Sequence, residues 1–375
     1  MSMTRRGFIR NAMASTVLIA GSSLLYSCAG VRREDFTRTM VDRKMNGTDL
    51  HKLYNILYFA SLAPSGHNSQ PWIARICDAE NLIIKLDEKR LLPAVDPLAR
   101  ESFLSLGAFL ENLIQAAEAQ GMKVQWTMED SAKLPVIHVK LEVSNPNKED
   151  AKTIHQRITQ RRTVKSNYLA NEIQRQDIDF ILADCEQYSS YIPANSNSSK
   201  KMNELAVEAM REQCSRKEAN SELAQWIRLK SEEAEKKRDG LTTESMEIHG
   251  IAGWFVRNMM SRESLTSADF VNKGIEKTEQ QVSRHGGWMV LNSKGKTSSD
   301  TLETGMMFER MFLKCREKSI AIHPMSQILE EQAAGESFRQ QFGFGENTQF
   351  ILRIGYLKNY PDPVSLRRPV EWFLN

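Results

Sequence analysis

Residues 102–111 read SFLSLGAFLE, and residues 300–309 read DTLETGMMFE. The two stretches lie 198 positions apart, and leucine, glycine and glutamate coincide at 104/302, 107/305 and 111/309. Each belongs to an amphipathic segment, over 100–120 and 300–318, whose apolar spacing predicts a helix. The elements around these two helices follow one another in a similar order. The sequence therefore predicts an internal duplication with two related halves.

The segments outward from the two helices predict a mixture of helices and strands. Apolar periodicity predicts further helices over 49–62, 151–160 and 171–183, and strands over 72–77, 82–86, 135–143, 287–292 and 350–356. Composition predicts a polar turn region over 189–199, a charged helical segment with a solvated face over 200–238, and an irregular segment over 240–267. The predicted fold class is α+β, with a mainly antiparallel sheet and flanking helices in each half.

The charge balance excludes some classes of protein. The chain has 375 residues, enough for about two domains, and carries 50 Lys+Arg against 47 Asp+Glu. Arg5, Arg6 and Arg10 account for the difference, so residues 28–375 carry equal numbers of both signs. Nucleic-acid-binding proteins usually have a basic excess because they neutralise phosphates. No run of about 18 apolar residues follows residue 27. We therefore expect no nucleic-acid partner and no membrane-spanning helix in the body of the chain.

The first 28 residues have the pattern of an export signal. Residues 4–10 read TRRGFIR, 17 uncharged residues follow, and Cys28 ends the stretch. The paired arginines resemble a twin-arginine signal, and residues 25–28 (LYSC) resemble a lipobox with a lipidated cysteine. We predict a signal peptide over 1–27, a lipidated Cys28 and a tether over 28–46, which place the protein on the periplasmic side of the cell membrane. The alternative is a plain N-terminal anchor helix.

Cysteine and histidine spacing argues against a metal site. Cys77, Cys185, Cys214 and Cys315 form no Cys-x-x-Cys pair, and the seven histidines are scattered without a His-Glu-x-x-His motif. Phosphate-loop, GxGxxG and GxSxG motifs are also absent from the sequence. Buried free thiols are favoured. Outside the cytoplasm a disulfide is also allowed, and the sequence alone does not pair these four residues.

Two connecting segments are rich in groups that bind ligands. Residues 63–72 read APSGHNSQPW, a loop that can present amides, a hydroxyl and a carboxamide to a flat heterocycle. Residues 161–166 read RRTVKS, whose three cations and two hydroxyls suit a phosphate. A third basic cluster, Arg367-Arg368-Pro369, lies near the C-terminus. Taken alone, the loop is better explained as a plain turn and each basic cluster as a solvated surface.

Together, the loop at 63–72, the helix with Gly107 and the basic segment at 161–165 resemble the FMN-dependent nitroreductase family. In ordinary members two identical subunits form two flavin sites at their interface. Here the first half retains the Pro-Ser-Gly-His-Asn loop and the second half retains the Arg-Arg-Thr motif. The chain thus resembles the fused single-chain branch, of which a mycobacterial dormancy-associated flavoprotein group is an example. The resemblance implies nitroreductase-like halves over 47–150 and 151–375, packed as an intramolecular pseudo-dimer that binds FMN.

The same resemblance assigns cofactor-binding residues. On the loop they are Pro64, Ser65, Gly66, His67, Asn68 and Gln70, with Ser65 to Asn68 expected at the isoalloxazine ring or the ribityl chain. The phosphate is expected at Arg161, Thr163, Lys165 and Arg368, with Arg162 and Arg367 adjacent. The loop after the second-half helix contributes His323, Met325 and Ser326 near flavin N5. Residues 240–267, with Trp254, Phe255, Met259 and Met260, are expected to form a lid or, with equal weight, an ordinary packing excursion.

The implied activity is electron transfer through FMN. Hydride reaches flavin N5 and leaves for an electron-poor small molecule, so no catalytic side chain is assigned. NAD(P)H, the usual donor of the family, is cytoplasmic, and an exported protein needs a membrane quinol or a redox partner instead. The alternatives are a non-catalytic FMN-binding or storage protein and a lipid-anchored binding module with a decayed flavin site. A fused pair completes its own site, so a monomer is expected.

Overall fold

A computed structural model describes residues 30–36, 51–129, 134–144 and 149–375, together with the backbone of residues 48–50. The predicted signal peptide at 1–27 and the predicted lipidation site Cys28 lie outside these residues. Of the predicted tether at 28–46, only residues 30–36 are described. They contact the body of the protein, because the Gly30 amide donates a hydrogen bond of 2.8 Å to Glu244 Oε1.

The first sheet is built from four short antiparallel strands in the order β1-β2-β4-β3. Its strands are β1 (Trp72–Ile76), β2 (Asn81–Leu86), β3 (Met122–Glu129) and β4 (Val136–Val143), and its helices are α1 (Thr48–Ala60) and α2 (Arg100–Glu118). The strands predicted at 72–77, 82–86 and 135–143 and both predicted helices are present within two residues. Strand β3 was not predicted, although its side chains alternate between half-buried and exposed along the whole strand.

The second sheet has the order β5-β6-β8-β7, which is the same order counted from its first strand. Its strands are β5 (Ser189–Pro193), β6 (Gly287–Asn292), β7 (Ile320–Pro324) and β8 (Thr348–Tyr356), and its helices include α3 (Ala151–Gln160) and α4 (Arg175–Leu182). The prediction of a polar turn from residue 189 is wrong at its start. Ser189, Ser190 and Pro193 suggest a turn, but all five residues of β5 pair with β6. The predicted α+β class is confirmed.

A helical insertion separates β5 from β6. It contains α5 (Asn197–Ser215), α6 (Lys217–Trp226), α7 (Ser231–Lys237), α8 (Gly250–Met259) and α9 (Ala268–Val282). The charged segment at 200–238 is thus three helices rather than one. The prediction of a solvated face is incomplete, because one face of the first of these helices is buried. Its buried residues at helical spacing are Met202, Leu205, Ala206 and Ala209. The segment at 240–267, expected to be irregular, contains α8.

The two sheets meet through α2 and helix α10 (Ser298–Glu317). A side chain at Gly107 would place its Cβ 2.0 Å from the carbonyl oxygen of Leu302, and one at Gly305 would place its Cβ 2.1 Å from that of Leu104. The contact is therefore reciprocal, and only glycine allows the two backbones to approach this closely. Helices α11 (Gln327–Glu330) and α12 (Gln332–Phe342) then lie between β7 and β8.

The C-terminal tail returns from the second sheet to the first. The Ala74 amide donates to Phe373 O at 2.8 Å, and the Asn375 amide donates to Ala74 O at 2.9 Å. Val370 and Phe373 are buried in the core of the first half. This return brings the basic residues at 367–368 alongside the loop at 63–72, about 300 positions away in the sequence.

Candidate functional site

A cavity of about 250 Å³ lies between elements of the two sheets and their helices. Its lining includes residues of the loop at 63–72 and helix α2, and residues of α10, β7, β8 and the basic segment at 161–165. Twelve predicted site residues line it: Pro64, Ser65, Gly66, His67, Asn68, Arg161, Arg162, Thr163, Lys165, His323, Ser326 and Arg367. Segments far apart in sequence thus converge on one place.

The loop at 63–72 holds three residues in an unfavourable backbone conformation. His67, Asn68 and Gln70 have φ angles of 48°, 51° and 53°. Non-glycine residues rarely adopt this left-handed region, and such strain is concentrated at functional sites. The Ser65 hydroxyl accepts a hydrogen bond of 3.0 Å from the Gln70 amide, which closes the loop on itself. The shape of the loop is therefore imposed by the surrounding structure.

Two polar side chains of this loop, Asn68 and Gln70, already form hydrogen bonds with other parts of the protein. The Asn68 amide nitrogen donates to Gly240 O at 3.0 Å and to Leu366 O at 3.1 Å, while its oxygen accepts from Arg367 at 2.8 Å. Gln70 accepts from the Arg368 amide at 2.9 Å and is fully buried. These contacts join the loop to the C-terminal segment. Asn68 lines the cavity, but its side chain is hydrogen-bonded to other protein groups around the site.

Five cationic side chains line the cavity: Arg33, Arg161, Arg162, Lys165 and Arg367, here called the cation cluster. Arg161 forms a buried ion pair with Glu309, with Nε 3.1 Å from Oε1. Arg162 lies 3.9 Å from Glu247. Glu101 lines the cavity, whereas Glu309 and Glu247 are not among the lining residues. Positive charge is thus in excess over the neighbouring carboxylates, which favours an anionic ligand.

Burial and mutual repulsion weaken proton binding within the cation cluster. Burial lowers the pKa of Arg367 well below its usual range, and Arg33 and Arg161 lower it further. Burial likewise lowers the pKa of Lys165, although Glu247 opposes the shift. Among the described residues, the Lys165 ammonium has no hydrogen-bond or ion-pair partner. An anion beside Lys165 would reverse both effects, because it would favour the charged forms.

Two histidines of the cavity are held neutral. Burial lowers the pKa of His67 to about 4, and Lys165 lowers it further while Glu101 opposes the shift. Burial and then the charges of Arg353, Lys165 and Lys277 hold the pKa of His323 well below its usual range. Near neutral pH neither histidine adds to the positive charge. Within the described chain His67 Nδ1 is buried without a hydrogen-bond partner.

An apolar surface lines the same cavity. Leu104 and Ala108 contribute from α2, Phe308 from α10 and Phe350 from β8. The rings of Phe308 and Phe350 are stacked, with centroids 4.1 Å apart. Apolar walls combined with a few placed polar groups are typical of sites for planar cofactors and ligands.

Three predicted site residues do not line the cavity. Gln70 is buried under the C-terminal segment, and Met325 is packed in the core beside Trp288 and Phe338. Arg368, expected at the phosphate, donates instead to Gln70 O at 2.6 Å and to Trp72 O at 3.1 Å. Adjacent residues on an extended segment face opposite ways. Arg367 therefore reaches the cavity and Arg368 does not.

Other lining residues were not predicted. They include Arg33, Glu101, Ser105, Ala108, Leu241, Ser245 and the tail residues Pro363 to Ser365. The sequence contains a signal for Ser105 and Ala108, because the corresponding positions of the second stretch hold the larger residues Glu303 and Met306. In the predicted lid, Leu241 and Ser245 reach the cavity, whereas Trp254, Phe255 and Met259 are exposed.

The described residues hold no group of three or more His, Cys, Asp or Glu side chains arranged for a metal ion. Cys77, Cys185, Cys214 and Cys315 are free thiols. In the same part of the chain, no helix has the length and hydropathy that a membrane crossing requires.

The fold and the cavity define an α+β protein with two antiparallel sheets and a cationic, partly apolar site between them. Over 341 residues the chain is 23% identical to proteins of two Mycobacterium tuberculosis strains, CDC 1551 / Oshkosh and ATCC 25618 / H37Rv, named as the NAD(P)H nitroreductases MT3217 and Rv3131. These matches cover 86% of this chain and 92% of each relative.

A shorter match is 34% identical over 83 residues to a protein of Serratia sp. (strain ATCC 39006) named as the NAD(P)H nitroreductase PigM. It covers 22% of this chain and 23% of that protein. No family profile matches the chain. The relatives support a nitroreductase-like oxidoreductase.

Proposed function

We propose that the chain is an FMN-dependent oxidoreductase of nitroreductase type that passes electrons to an electron-poor small molecule. The observation that carries the proposal is the cation cluster in the cavity between the halves. A phosphate suits such a cluster, because its charge offsets the repulsion among buried cations. The names of the relatives support the same assignment.

The cation cluster would hold the phosphate of FMN. Lys165 would act as a point charge, and its partnerless ammonium fits that role. Arg367 is oriented by its hydrogen bonds to Leu62 O and Ala63 O, both at 3.1 Å. Arg161 is partly neutralised by Glu309. We therefore assign the larger share of phosphate binding to Lys165 and Arg367, with Arg33, Arg161 and Arg162 contributing to the field.

The apolar surface would hold the flavin ring. Leu104, Ala108, Phe308 and Phe350 exclude water from that side of the cavity, and His67 offers a buried ring nitrogen without a partner. When bound, FMN supplies the electron chemistry, while the protein binds and orients it. The neutral state of His67 and His323 keeps further positive charge away from this part of the site.

We also propose an internal duplication, with related halves over 47–150 and 151–375 packed as a pseudo-dimer. The shared strand order and the reciprocal contacts of Gly107 and Gly305 support this proposal. An isologous interface has this reciprocity, with each side presenting the same residues to the other. One chain would then form a complete site as a monomer.

Export, lipidation of Cys28 and membrane anchoring are part of the proposal and rest on residues 1–28 of the sequence. In that location the electron donor would be a membrane quinol or a redox protein, since NAD(P)H is cytoplasmic. The same reasoning gives a periplasmic location on the surface of the cell membrane.

The first test is the absorption spectrum of the purified chain after incubation with FMN and desalting. We expect flavin bands at about one equivalent per chain. In Lys165→Ala we expect FMN affinity to fall by about tenfold or more, because a hydrogen bond to a charged group contributes about 1.5–3 kcal/mol.

Lys294→Ala is the matched control, because Lys294 is 51% exposed and pairs with Glu303 at 2.6 Å outside the cavity. Equal affinities in the two variants would contradict the phosphate assignment, and absence of retained flavin would contradict FMN binding altogether. Reduction by an added donor and reoxidation by a nitroaromatic compound would distinguish an enzyme from a flavin store.

A further inference from the structure

Helix α8 has its apolar side turned outward. Ile251, Trp254, Phe255 and Met259 are 84%, 39%, 52% and 64% exposed, and their spacing places them on one face. Ala252 and Asn258 complete the outward side, so no outward-facing residue of this fully described helix is charged. Four of the nine large apolar side chains that are exposed in the described chain belong to α8.

The inward side of α8 carries its charge. The Arg257 guanidinium is buried, donates to Thr243 Oγ1 at 2.7 Å and forms an ion pair of 2.8 Å with Glu244. Gly253 and Val256 share this buried side. A surface helix of a soluble protein normally has the opposite arrangement, with charge outward and apolar residues inward. The reversal is held by a buried ion pair, so the outward position of the apolar face is a fixed feature of the fold.

The chain enters the described structure next to this helix. Glu244, the partner of Arg257, also accepts the hydrogen bond from the Gly30 amide. Val31 is buried beside Ala234 and Leu366. Cys28 is two residues before Gly30 in the sequence. The described chain therefore begins beside α8, two positions after the predicted lipidation site.

We infer that the outward face of α8 docks on the surface of a phospholipid membrane. An uncharged face containing tryptophan and phenylalanine, on a helix too short to cross a bilayer, is typical of a helix that lies in the membrane interface. Exposed apolar patches of this kind mark interaction surfaces. The start of the described chain beside α8 favours the bilayer over another protein, because the lipid proposed above on Cys28, two positions before Gly30, would hold this side toward the membrane.

Two features around α8 fit the same surface. Lys230 is exposed at the end of the helix and donates to Arg257 O at 2.8 Å, where a cation is suited to anionic lipid headgroups. Leu241 and Ser245, on the segment that leads into α8, line the cavity. Docking through α8 would thus bring the cavity close to the membrane, where lipid-soluble electron donors reside. The docking surface itself does not depend on the flavin proposal.

The test uses the full chain with Cys28→Ser, so that no lipid is attached, and vesicles of phosphatidylethanolamine and phosphatidylglycerol with brominated acyl chains. We expect the vesicles to quench tryptophan emission and Trp254→Phe to remove most of the quenching. Trp126→Phe is the control, because Trp126 is a half-buried residue of strand β3 in the first sheet. Quenching that is unchanged by Trp254→Phe would overturn the proposal.

A second measurement is vesicle flotation of Ile251→Ser/Phe255→Ser, where we expect binding to weaken by about tenfold or more, because two apolar side chains that the membrane would bury are lost. The matched control is Leu98→Ser/Val143→Ser, which removes two apolar side chains exposed elsewhere on the protein. Equal binding of both double variants would overturn the proposal. So would a dimer of the parent that becomes a monomer in Ile251→Ser/Phe255→Ser, since a second copy would then cover the face.

Discussion

The crossing of α2 and α10 has a depression on each side, and the two differ in how their charges are paired. One is the cavity, with about 250 Å³, and the other is a pocket of about 340 Å³ lined by Trp126, Met306 and Arg310 among others. Ser105 and Ala108 line the first at positions where Glu303 and Met306 line the second, each 198 residues later. Space alone therefore does not distinguish the candidate cofactor site.

The charges of the second pocket are already paired. Arg310 pairs with Glu111 at 2.6 Å, and Lys294 pairs with Glu303 at 2.6 Å. In the cavity, Lys165 has no such partner among the described residues, and the cation cluster exceeds its nearby carboxylates. Positive charge that is buried and uncompensated attracts a polyanionic ligand, whatever the volume of the neighbouring depressions.

The largest expected effect concerns the crossing that both sides share. Gly107→Ala and Gly305→Ala each place a Cβ about 2 Å from a carbonyl oxygen of the other helix. We expect each substitution to lower the free energy of unfolding by roughly 3 kcal/mol, because the two backbones must separate. Urea denaturation measures this loss, and the two losses should be similar if the contact is reciprocal.

Gly274→Ala is the matched control for these two variants. Gly274 lies inside α9, and a Cβ there would meet nothing within 4 Å. Alanine should stabilise this helix by about 0.5–1 kcal/mol, because glycine loses more backbone entropy on folding. A loss at Gly107 no larger than the effect at Gly274 would contradict the close approach of the helices.

The second effect distinguishes the two depressions directly. Ala108→Met makes the cavity side resemble the opposite side and should lower FMN affinity by about a hundredfold, because the added side chain occupies the apolar part of the cavity. Met306→Ala enlarges the opposite pocket and should leave FMN at one equivalent per chain. Equilibrium titration followed by flavin absorbance measures both values. Two equivalents in Met306→Ala would show that size, and not charge, closes the second site.

The third and smallest effect is a pH dependence of the free energy of unfolding, which arises from Glu309 of α10. Burial raises the pKa of Glu309 to about 7, although Arg161 opposes the shift. The folded protein thus holds this proton more tightly than the unfolded chain, whose pKa is near 4.5. The stabilisation is complete below pH 4.5 and is lost as the pH rises through about 7.

We expect this group to contribute a loss of roughly 2 kcal/mol in the free energy of unfolding between those pH values. Glu309→Gln should remove that part of the slope, because glutamine does not titrate. Urea denaturation at a series of pH values, for both proteins in parallel, provides the measurement. Identical slopes would mean that Glu309 titrates like an exposed carboxyl group.

Much of the fold was predictable from local pattern. The helices at 100–118 and 298–317 and the strands at 72–76 and 287–292 were predicted within two or three residues, because apolar spacing reports directly on a buried face. Strand β5 was not predicted, since its serines and proline favour a turn and only pairing with β6 makes it a strand. Strand β7 was not predicted because its apolar run, Ile320 to Ile322, is only three residues long before His323 and Pro324.

The candidate site was predictable in part. The loop at 63–72 and the basic segment at 161–165 have unusual composition, and most of their residues line the cavity. Arg33 carries no local signal, because it lies in a short polar stretch that was expected to be a tether. The different roles of Arg367 and Arg368 could not be predicted either, because the sequence does not show which way each side chain points from the backbone.

Local sequence pattern was enough to predict the α+β class, the two helices with a central glycine, and the two segments rich in groups that can bind ligands. These properties depend on residue type and short-range spacing. The tertiary structure decided which segments meet. It brought the C-terminal tail back to the first sheet, placed residues from segments far apart in the sequence around one cavity, and turned the apolar face of α8 outward. Such outcomes depend on long-range packing and on which charges find partners, and neither is encoded in any local stretch of the chain.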